Sequence, residues 1–183
     1  MKLAKTRAGL GLAGSICGVS AIILTMYSAY GDELILSPAG AEIIGNAEGC
    51  RRDPYKCPAD VLTVGIGSTE YSGLPIDPKH RYTDLEIAER WKHDIQVAEK
   101  CVLAYGNGRA LPQSVFDSAV SITFNVGCGA VRKSTLFKYL NSGKYELACN
   151  EYPRWNKAGG KVLPGLVSRR EKEKALCLSD LHK

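Results

Sequence analysis

The sequence predicts an α+β fold with two lobes, a small lobe that contains a short antiparallel sheet and a larger helical lobe. Two patterns carry this prediction. Residues 50–82 are rich in Gly, Pro and Thr and include the short β-type run 61–67. From residue 83 onward, helical spacing of apolar residues recurs as far as residue 178. We therefore expect a small lobe over residues 36–82, a helical lobe over 83–178, and a cleft between the two lobes.

Capping signals mark the starts of the two helices that flank the expected sheet. Ser37 followed by Pro38 is typical of an N-cap and a first-turn proline, which predicts a short helix with Glu48 at its C-terminal end. Thr83 and Glu86 form a capping box, which predicts a longer helix that ends near 106–108. Further helices are predicted over 115–126, 134–140, 146–152 and 164–176.

Composition and charge exclude some classes of protein. The 183 residues suffice for one domain with a core and a short appendage, and 45% hydrophobic with 23% charged residues is ordinary for a globular chain. The net charge of +5 favours an anionic partner, either nucleic acid, anionic lipid or an acidic wall polymer. Lys and Arg are spread along the chain, so nucleic acid is the least favoured. The scattered histidines and the absence of a CxxC pair predict no metal site and no cofactor.

The N-terminus has the polarity of a membrane segment. Basic residues precede the uncharged run 8–31 and acidic residues follow it, and the run is long enough to cross a bilayer. Its many glycines keep its hydrophobicity low. Three interpretations stay open: a cleaved signal peptide, a permanent anchor that packs through Gly14 and Gly18, and a weak anchor that can leave the bilayer. We assign residues 1–31 to this segment and 32–183 to the folded domain.

Glu48 is the first candidate catalytic residue. Cleavage of a glycosidic bond needs an acid that protonates the leaving oxygen and a second group that helps water or attacks the sugar. A glutamate at a helix end facing an apolar cleft can serve as this acid. From the residue alone, the simpler interpretation of Glu48 is a solvated surface position, and that of Thr63 is an ordinary β-branched strand residue.

The motif around Glu48 resembles the phage T4-type lysozyme family. The family pattern is a glutamate, eight residues, an aspartate, five residues and a threonine, and the matching positions here are Glu48, Cys57 and Thr63. Similar segments follow in order at 124–127, 134–136, 154–155 and 164–170. The resemblance extends over roughly residues 36–178.

The resemblance implies a two-lobed lysozyme-like fold and muramidase activity, the hydrolysis of the β-1,4 bond between N-acetylmuramic acid and N-acetylglucosamine in peptidoglycan. Glu48 would be the acid, and Thr63 would help to hold the attacking water. Cys57 stands where the common pattern has aspartate, which resembles one branch of the signal-anchor-release endolysins, in which cysteine occupies that position. Its thiolate is the preferred base or nucleophile, with Asp60 and then Asp53 as alternatives.

The seven cysteines indicate an oxidising compartment, and their odd number leaves one thiol outside a disulfide. A Cys50–Cys57 disulfide would consume the thiol in the catalytic position. The resemblance implies that Cys17, once out of the bilayer, attacks Cys50 and releases Cys57. The plainer alternative is a permanent Cys50–Cys57 bond with Cys17 as an inert apolar residue.

The remaining four cysteines are expected to form two stabilising bridges. Three pairings are possible, and we favour Cys101–Cys128 with Cys149–Cys177.

Together these features predict a monomeric endolysin of a phage or prophage. It would be exported by the host Sec machinery, held inactive at the inner membrane facing the periplasm, and released into the periplasm when the membrane depolarises. Two other classes stay open: a membrane-tethered peptidoglycan-binding protein that has lost catalysis at Cys57, and an ordinary bitopic protein with a fortuitous likeness to lysozymes.

Overall fold

The structure, a computed structural model, describes residues 16–57 and 60–181. The first half of the expected membrane segment, residues 1–15, lies outside the described residues. The helices are α1 Val19–Tyr30, α2 Pro38–Glu48, α3 Asp84–Tyr105, α4 Gln113–Val126, α5 Cys128–Val131, α6 Thr135–Asn141, α7 Tyr145–Cys149 and α8 Pro164–Leu178. The strands are β1 Arg51–Lys56, β2 Leu62–Gly65, β3 Ser68–Thr69, β4 Lys157–Ala158 and β5 Lys161–Val162.

Both predicted capping signals begin helices in the structure. Ser37 Oγ accepts the N–H of Gly40 at the start of α2, and Pro38 occupies the first turn. At the start of α3, Glu86 accepts the backbone N–H of Thr83 at 2.8 Å, which completes the capping box. The placements of α2 and α3 from the sequence are therefore confirmed.

The small lobe is built on an antiparallel sheet with strand order β1-β2-β3. The β-type run 61–67 supplies only β2, because the chain turns at Gly65 and Gly67, both with positive φ, to form β3. Strand β1 was not predicted, since Pro54 removes a backbone donor. Its position at the sheet edge, with a register shift between Arg51 and Tyr55, accommodates that loss.

Helix α1 packs against α3 and α2 as part of the protein core. Ile22 and Met26 on α1 have no exposed surface and belong to the same apolar cluster as Ile44 of α2 and Trp91 of α3. In the part of the chain that the structure describes, no helix is both long and apolar enough to cross a bilayer.

Helix α4 is the centre of the helical lobe, with every residue from Ser114 to Thr123 buried between α2, α3 and α8. Two disulfides tie this lobe together, and they join the cysteines in the pairing favoured from the sequence: Cys101–Cys128 and Cys149–Cys177. The exposed β4–β5 hairpin leads into α8 and was not predicted. The two-lobed α+β fold class is confirmed.

Candidate active site

Glu48 lies where the two lobes meet, at the C-terminal end of α2. Its carboxylate accepts a hydrogen bond at 2.7 Å from Arg169 of α8, and its side chain is 26% exposed. On the other side, the backbone at Gly67 lies against the same carboxylate, since a Cβ there would stand 3.3 Å from Glu48 Oε2. The glycine at this position thus lets the small lobe approach Glu48 closely.

Arg169 is held beneath Glu48 by a buried charged cluster on α8. Glu173, with no exposed surface, accepts hydrogen bonds from Arg169 Nε at 3.2 Å and from Ser121 Oγ at 2.6 Å. Arg170 Nε lies 3.0 Å from the other oxygen of Glu173, within ion-pair distance but outside hydrogen-bond alignment. Arg169 therefore reaches Glu48 as a fixed donor rather than as a mobile surface side chain.

Cys57 and Thr63 meet at the carbonyl of Val61. The backbone N–H of Cys57 donates to this oxygen at 3.0 Å, and the Thr63 hydroxyl donates to it at 3.1 Å. Thr63 is 3% exposed, and its hydroxyl oxygen keeps lone pairs that can accept from a water molecule. The end of β1 and the start of β2 thus bring two of the three predicted catalytic residues together.

Tyr55 and Glu48 line the same small opening beside the sheet. Burial raises the pKa of the Tyr55 hydroxyl, the guanidinium of Arg51 opposes that rise, and the charges of Glu48 and Cys57 add to it. The Arg51 guanidinium stacks 4.4 Å from the centre of the Tyr55 ring. The charges of both Glu48 and Cys57 therefore act on the Tyr55 hydroxyl.

The two alternative carboxylates are both engaged by cations. Arg81 binds both oxygens of Asp53, at 2.8 and 3.1 Å. Lys56 binds Asp60 at 2.8 Å, and the Asp60 side chain is 80% exposed. Both alternative carboxylates thus already have a cationic partner, and Cys57 stays the predicted second catalytic group.

The disulfide beside the site joins Cys17 to Cys50, with the two Cα atoms 5.1 Å apart. The Cys17 N–H also donates to the Cys50 carbonyl at 3.3 Å, and Ile16 forms a β-bridge with Arg51. Cys57 belongs to none of the three disulfides. The structure therefore corresponds to the state expected after the exchange, with the Cys57 sulfur not bonded to Cys50.

A cleft of about 370 Å³ lies between β3 and helices α3 and α4. Gly67 lines this cleft and lies against Glu48, and Glu48 itself lines a larger cleft of about 490 Å³ together with Asn125 and Arg169. The walls of the smaller cleft carry the rings of Tyr71 and Phe124 beside the carboxyl of Asp94, whose pKa burial raises. Apolar rings next to a few polar groups are suited to a polar ring-shaped ligand such as a sugar.

Two residues of the site were not identified as site residues from the sequence. Arg169 lies in the segment 164–170 that resembles phage lysozymes, but its partner Glu48 is 121 residues away along the chain. Tyr55 lies in a strand that the sequence did not predict. Neither residue carries a local signal of its role.

Comparisons with known proteins agree with this arrangement. A family model for phage lysozyme matches residues 45–173. The chain belongs to the phage lysozyme family. It is 38% identical to the SAR-endolysin of Escherichia phage P1 over 188 aligned residues, which cover 97% of each chain.

Two crystal structures of the P1 phage endolysin Lyz were found among similar solved structures. The active form matches with a TM-score of 0.83 and 37% identity, covering 92% of this chain and 97% of that one. The secreted inactive form matches with a TM-score of 0.56 and 38% identity, covering 79% and 96%. The present structure is thus more similar to the active form.

Proposed function

We propose that this protein is a muramidase endolysin, which hydrolyses the β-1,4 bond between N-acetylmuramic acid and N-acetylglucosamine in peptidoglycan. The observation that carries the proposal is the Glu48 carboxylate, which Arg169 holds at 2.7 Å in the wall of a cleft of about 490 Å³. Membership of the phage lysozyme family supports the substrate class.

In the proposed reaction, Glu48 gives its proton to the glycosidic oxygen as the bond from that oxygen to the anomeric carbon breaks. Water forms the new bond to the anomeric carbon and transfers a proton to the Cys57 thiolate, while Thr63 accepts a hydrogen bond from the water. This course inverts the configuration. Direct attack by the Cys57 sulfur would retain it, so the stereochemistry of the product distinguishes the two courses.

Activity is proposed to depend on the release of the N-terminal segment from the inner membrane into the periplasm. Before release, Cys50 would be bonded to Cys57, and the catalytic thiol would be consumed. After release, Cys17 attacks the Cys50 sulfur, the Cys17–Cys50 bond forms, and Cys57 leaves as a thiolate. The Cys17–Cys50 bond of the structure and its greater similarity to an active form support this order of events. Export by the Sec machinery and a monomeric state belong to the same proposal.

One experiment tests both the reaction and the activation. Purified, oxidised variants are added to isolated peptidoglycan, and the release of reducing ends is measured. Glu48→Gln should lower the rate by at least about 10²-fold, because a positioned acid contributes 10²–10⁴-fold. Cys17→Ser should also be inactive, whereas Cys17→Ser with Cys50→Ser should recover activity, because Cys57 then has no partner at position 50.

The outcomes separate the alternatives. No cleavage by the wild type with retained binding to peptidoglycan would favour a non-catalytic wall-binding protein. Full activity of oxidised Cys17→Ser would contradict the proposed disulfide exchange but would be consistent with the muramidase proposal.

A further inference from the structure

The N-terminal segment forms one wall of the opening beside the sheet that Tyr55 and Glu48 line. This opening measures about 390 Å³, within the range of roughly 300–1,000 Å³ that is usual for ligand sites. Ile16, which precedes Cys17, lines it together with Arg51 of β1. The wall contributed by Ile16 therefore comes from the segment that the proposed disulfide exchange moves to this position.

Ile16 is held in this place by its own backbone and by its neighbour. Its backbone pairs with that of Arg51 in a β-bridge. The next residue, Cys17, donates its N–H to the Cys50 carbonyl at 3.3 Å and is bonded to Cys50 through sulfur. Ile16 is nevertheless 63% exposed, whereas Cys17 is 5% exposed. The structure thus fixes a large apolar side chain without covering it.

Exposure of one apolar side chain is ordinary on a protein surface, so the position of Ile16 decides its meaning. Gly67 lines the cleft of about 370 Å³, and Gly65, two residues earlier in the chain, lines the opening that contains Ile16. Glu48 lies against Gly67 and lines the second opening itself. An enzyme that cuts within a polymer binds sugar residues on both sides of the cleaved bond. Two openings that both border Glu48 meet this requirement.

The chemistry of the walls suits a sugar residue. Tyr55 contributes a ring and a hydroxyl, and Arg51, whose guanidinium lies 4.4 Å from the ring centre, contributes N–H donors. Ile16 adds an aliphatic surface. An N-acetylated sugar presents hydroxyl and carbonyl oxygens to such donors and a methyl group to such a surface. None of the described residues that line the cleft of about 490 Å³ is aromatic, so the opening at Ile16 fits a sugar better.

We propose that Ile16 is a substrate-binding residue, whose side chain packs against the sugar residue on one side of the cleaved glycosidic bond. This inference rests on the proposed muramidase function. Before release, Ile16 would lie in the membrane segment, and this wall of the substrate site would be missing. Release therefore completes the substrate site as well as unblocking Cys57, and the two effects can be separated by experiment.

The test compares steady-state kinetics on soluble, uncrosslinked glycan strands, using oxidised proteins whose three disulfides have been verified by mass mapping. Ile16→Ser should raise KM about four- to fifteenfold, the factor expected for the loss of one or two buried methyl groups. The value of kcat should change less than about twofold, since the contact is made equally with the bound substrate and with the transition state. Ile16→Leu keeps the apolar surface and should return KM to within about twofold of the wild-type value.

The matched control is Ile35→Ser, which makes the same change at an isoleucine that is 47% exposed in the segment between α1 and α2. It should leave both kcat and KM unchanged. Binding is measured separately in the Glu48→Gln background, by fluorescence anisotropy of labelled glycan strands. Ile16→Ser should weaken binding there by the same factor by which it raises KM.

A raised KM that Ile16→Leu restores supports the inference. An unchanged KM for Ile16→Ser would overturn it. A fall in kcat and Tm with KM unchanged would overturn it too, because Ile16 would then serve only to pack the N-terminal segment. Absence of cleavage by the wild type would instead contradict the muramidase function, and the binding measurement would then decide whether Ile16 contacts the glycan.

Discussion

At the scale of single residues, a thiol at position 57 can take two roles in the proposed mechanism, whereas a carboxylate can take only one. A carboxylate can act as a base, but it cannot be blocked by a covalent bond to a neighbouring side chain. A thiol can do both, because the thiolate is a nucleophile and base and the sulfur also forms disulfides. The Cys57 backbone N–H and the Thr63 hydroxyl share the Val61 carbonyl, which supports the proposed first role, and the nearness of Cys50 in the sequence supports the proposed second role.

Substitution of Cys57 separates these two roles. Cys57→Ala should reduce the rate on peptidoglycan by about 10²–10⁴-fold, the usual contribution of a general base. Cys57→Asp should restore a base that cannot be blocked, so it should stay active even when combined with Cys17→Ser. Rates are compared after the Cys101–Cys128 and Cys149–Cys177 bridges have been verified by mass mapping.

Asp60→Asn is the matched control for that series. Its carboxylate is exposed and paired with Lys56, so its loss should change the rate less than twofold, on the order of a surface substitution. If Asp60→Asn is inactive and Cys57→Ala retains its rate, the base is Asp60 and the role of Cys57 is limited to the disulfide.

At the scale of elements, the segment between α1 and α2 is fixed by two buried carboxylates. Glu99 of α3 accepts the backbone N–H groups of Ile35 and Leu36, at 2.8 and 2.7 Å. Asp117 of α4 accepts the N–H of Ser37 at 3.0 Å. Three successive donors that precede α2 are thereby satisfied, so the start of the helix that carries Glu48 is held by the helical lobe.

Glu99→Gln should change how stability depends on pH. Burial raises the pKa of Glu99, so the folded chain holds this proton more tightly than the unfolded chain. The stabilisation is complete below the unfolded value of about 4.3 and is lost as pH rises through the raised pKa. A glutamine can accept the same two N–H groups without charge, so the Tm of the variant relative to wild type should rise between pH 4 and pH 8.

The control for this measurement is Glu89→Gln, which makes the same change on the exposed face of α3. Its Tm difference from the wild type should be flat over the same pH range. A flat Tm difference for Glu99→Gln as well would show that protonation of Glu99 does not contribute to stability through its contacts with Ile35 and Leu36.

Local signals in the sequence were sufficient for α2, α3, α4 and α8 but not for the short helix α5 or for the contacts that assemble the site. The capping residues Ser37 and Thr83 start helices through hydrogen bonds within the first turn, so their effect is visible in four consecutive residues. Strand β1 escaped prediction because it depends on pairing with β2 rather than on its own composition. The contact of Arg169 with Glu48 depends on how α8 crosses α2, which no short segment specifies.

At the scale of the whole molecule, α1 supports the helix that carries the acid. Val19 of α1 packs directly on Gly45 of α2, since a Cβ at Gly45 would lie 2.4 Å from its Cγ1 atom and 3.3 Å from the Trp91 ring. Gly45 is three residues before Glu48 on the same helix. Packing of α1 therefore fixes the position of α2 by direct contact. The Cys17–Cys50 bond adds a covalent link between the segment just before α1 and the segment just after α2.

This contact predicts a paired effect of two substitutions. Gly45→Ala should destabilise the released protein by about 1–3 kcal/mol and lower its activity, because the added methyl displaces α1 or α2. Val19→Ala in the same chain removes the atom that clashes with the added methyl. The double variant should therefore lose less stability and less activity than the two single variants lose together. The expected coupling free energy is at least about 1 kcal/mol. Unfolding in urea and the rate on peptidoglycan measure the two quantities.

Gly129→Ala provides the control, because a Cβ at this helical position meets no atom within 4 Å, and neither stability nor rate should fall. Strict additivity of Gly45→Ala and Val19→Ala would mean that α1 and α2 do not press on one another. In that case the Cys17–Cys50 bond alone would connect release of the N-terminal segment to Glu48. If the two substitutions couple in stability but not in rate, α1 contributes to the core but does not influence the orientation of Glu48.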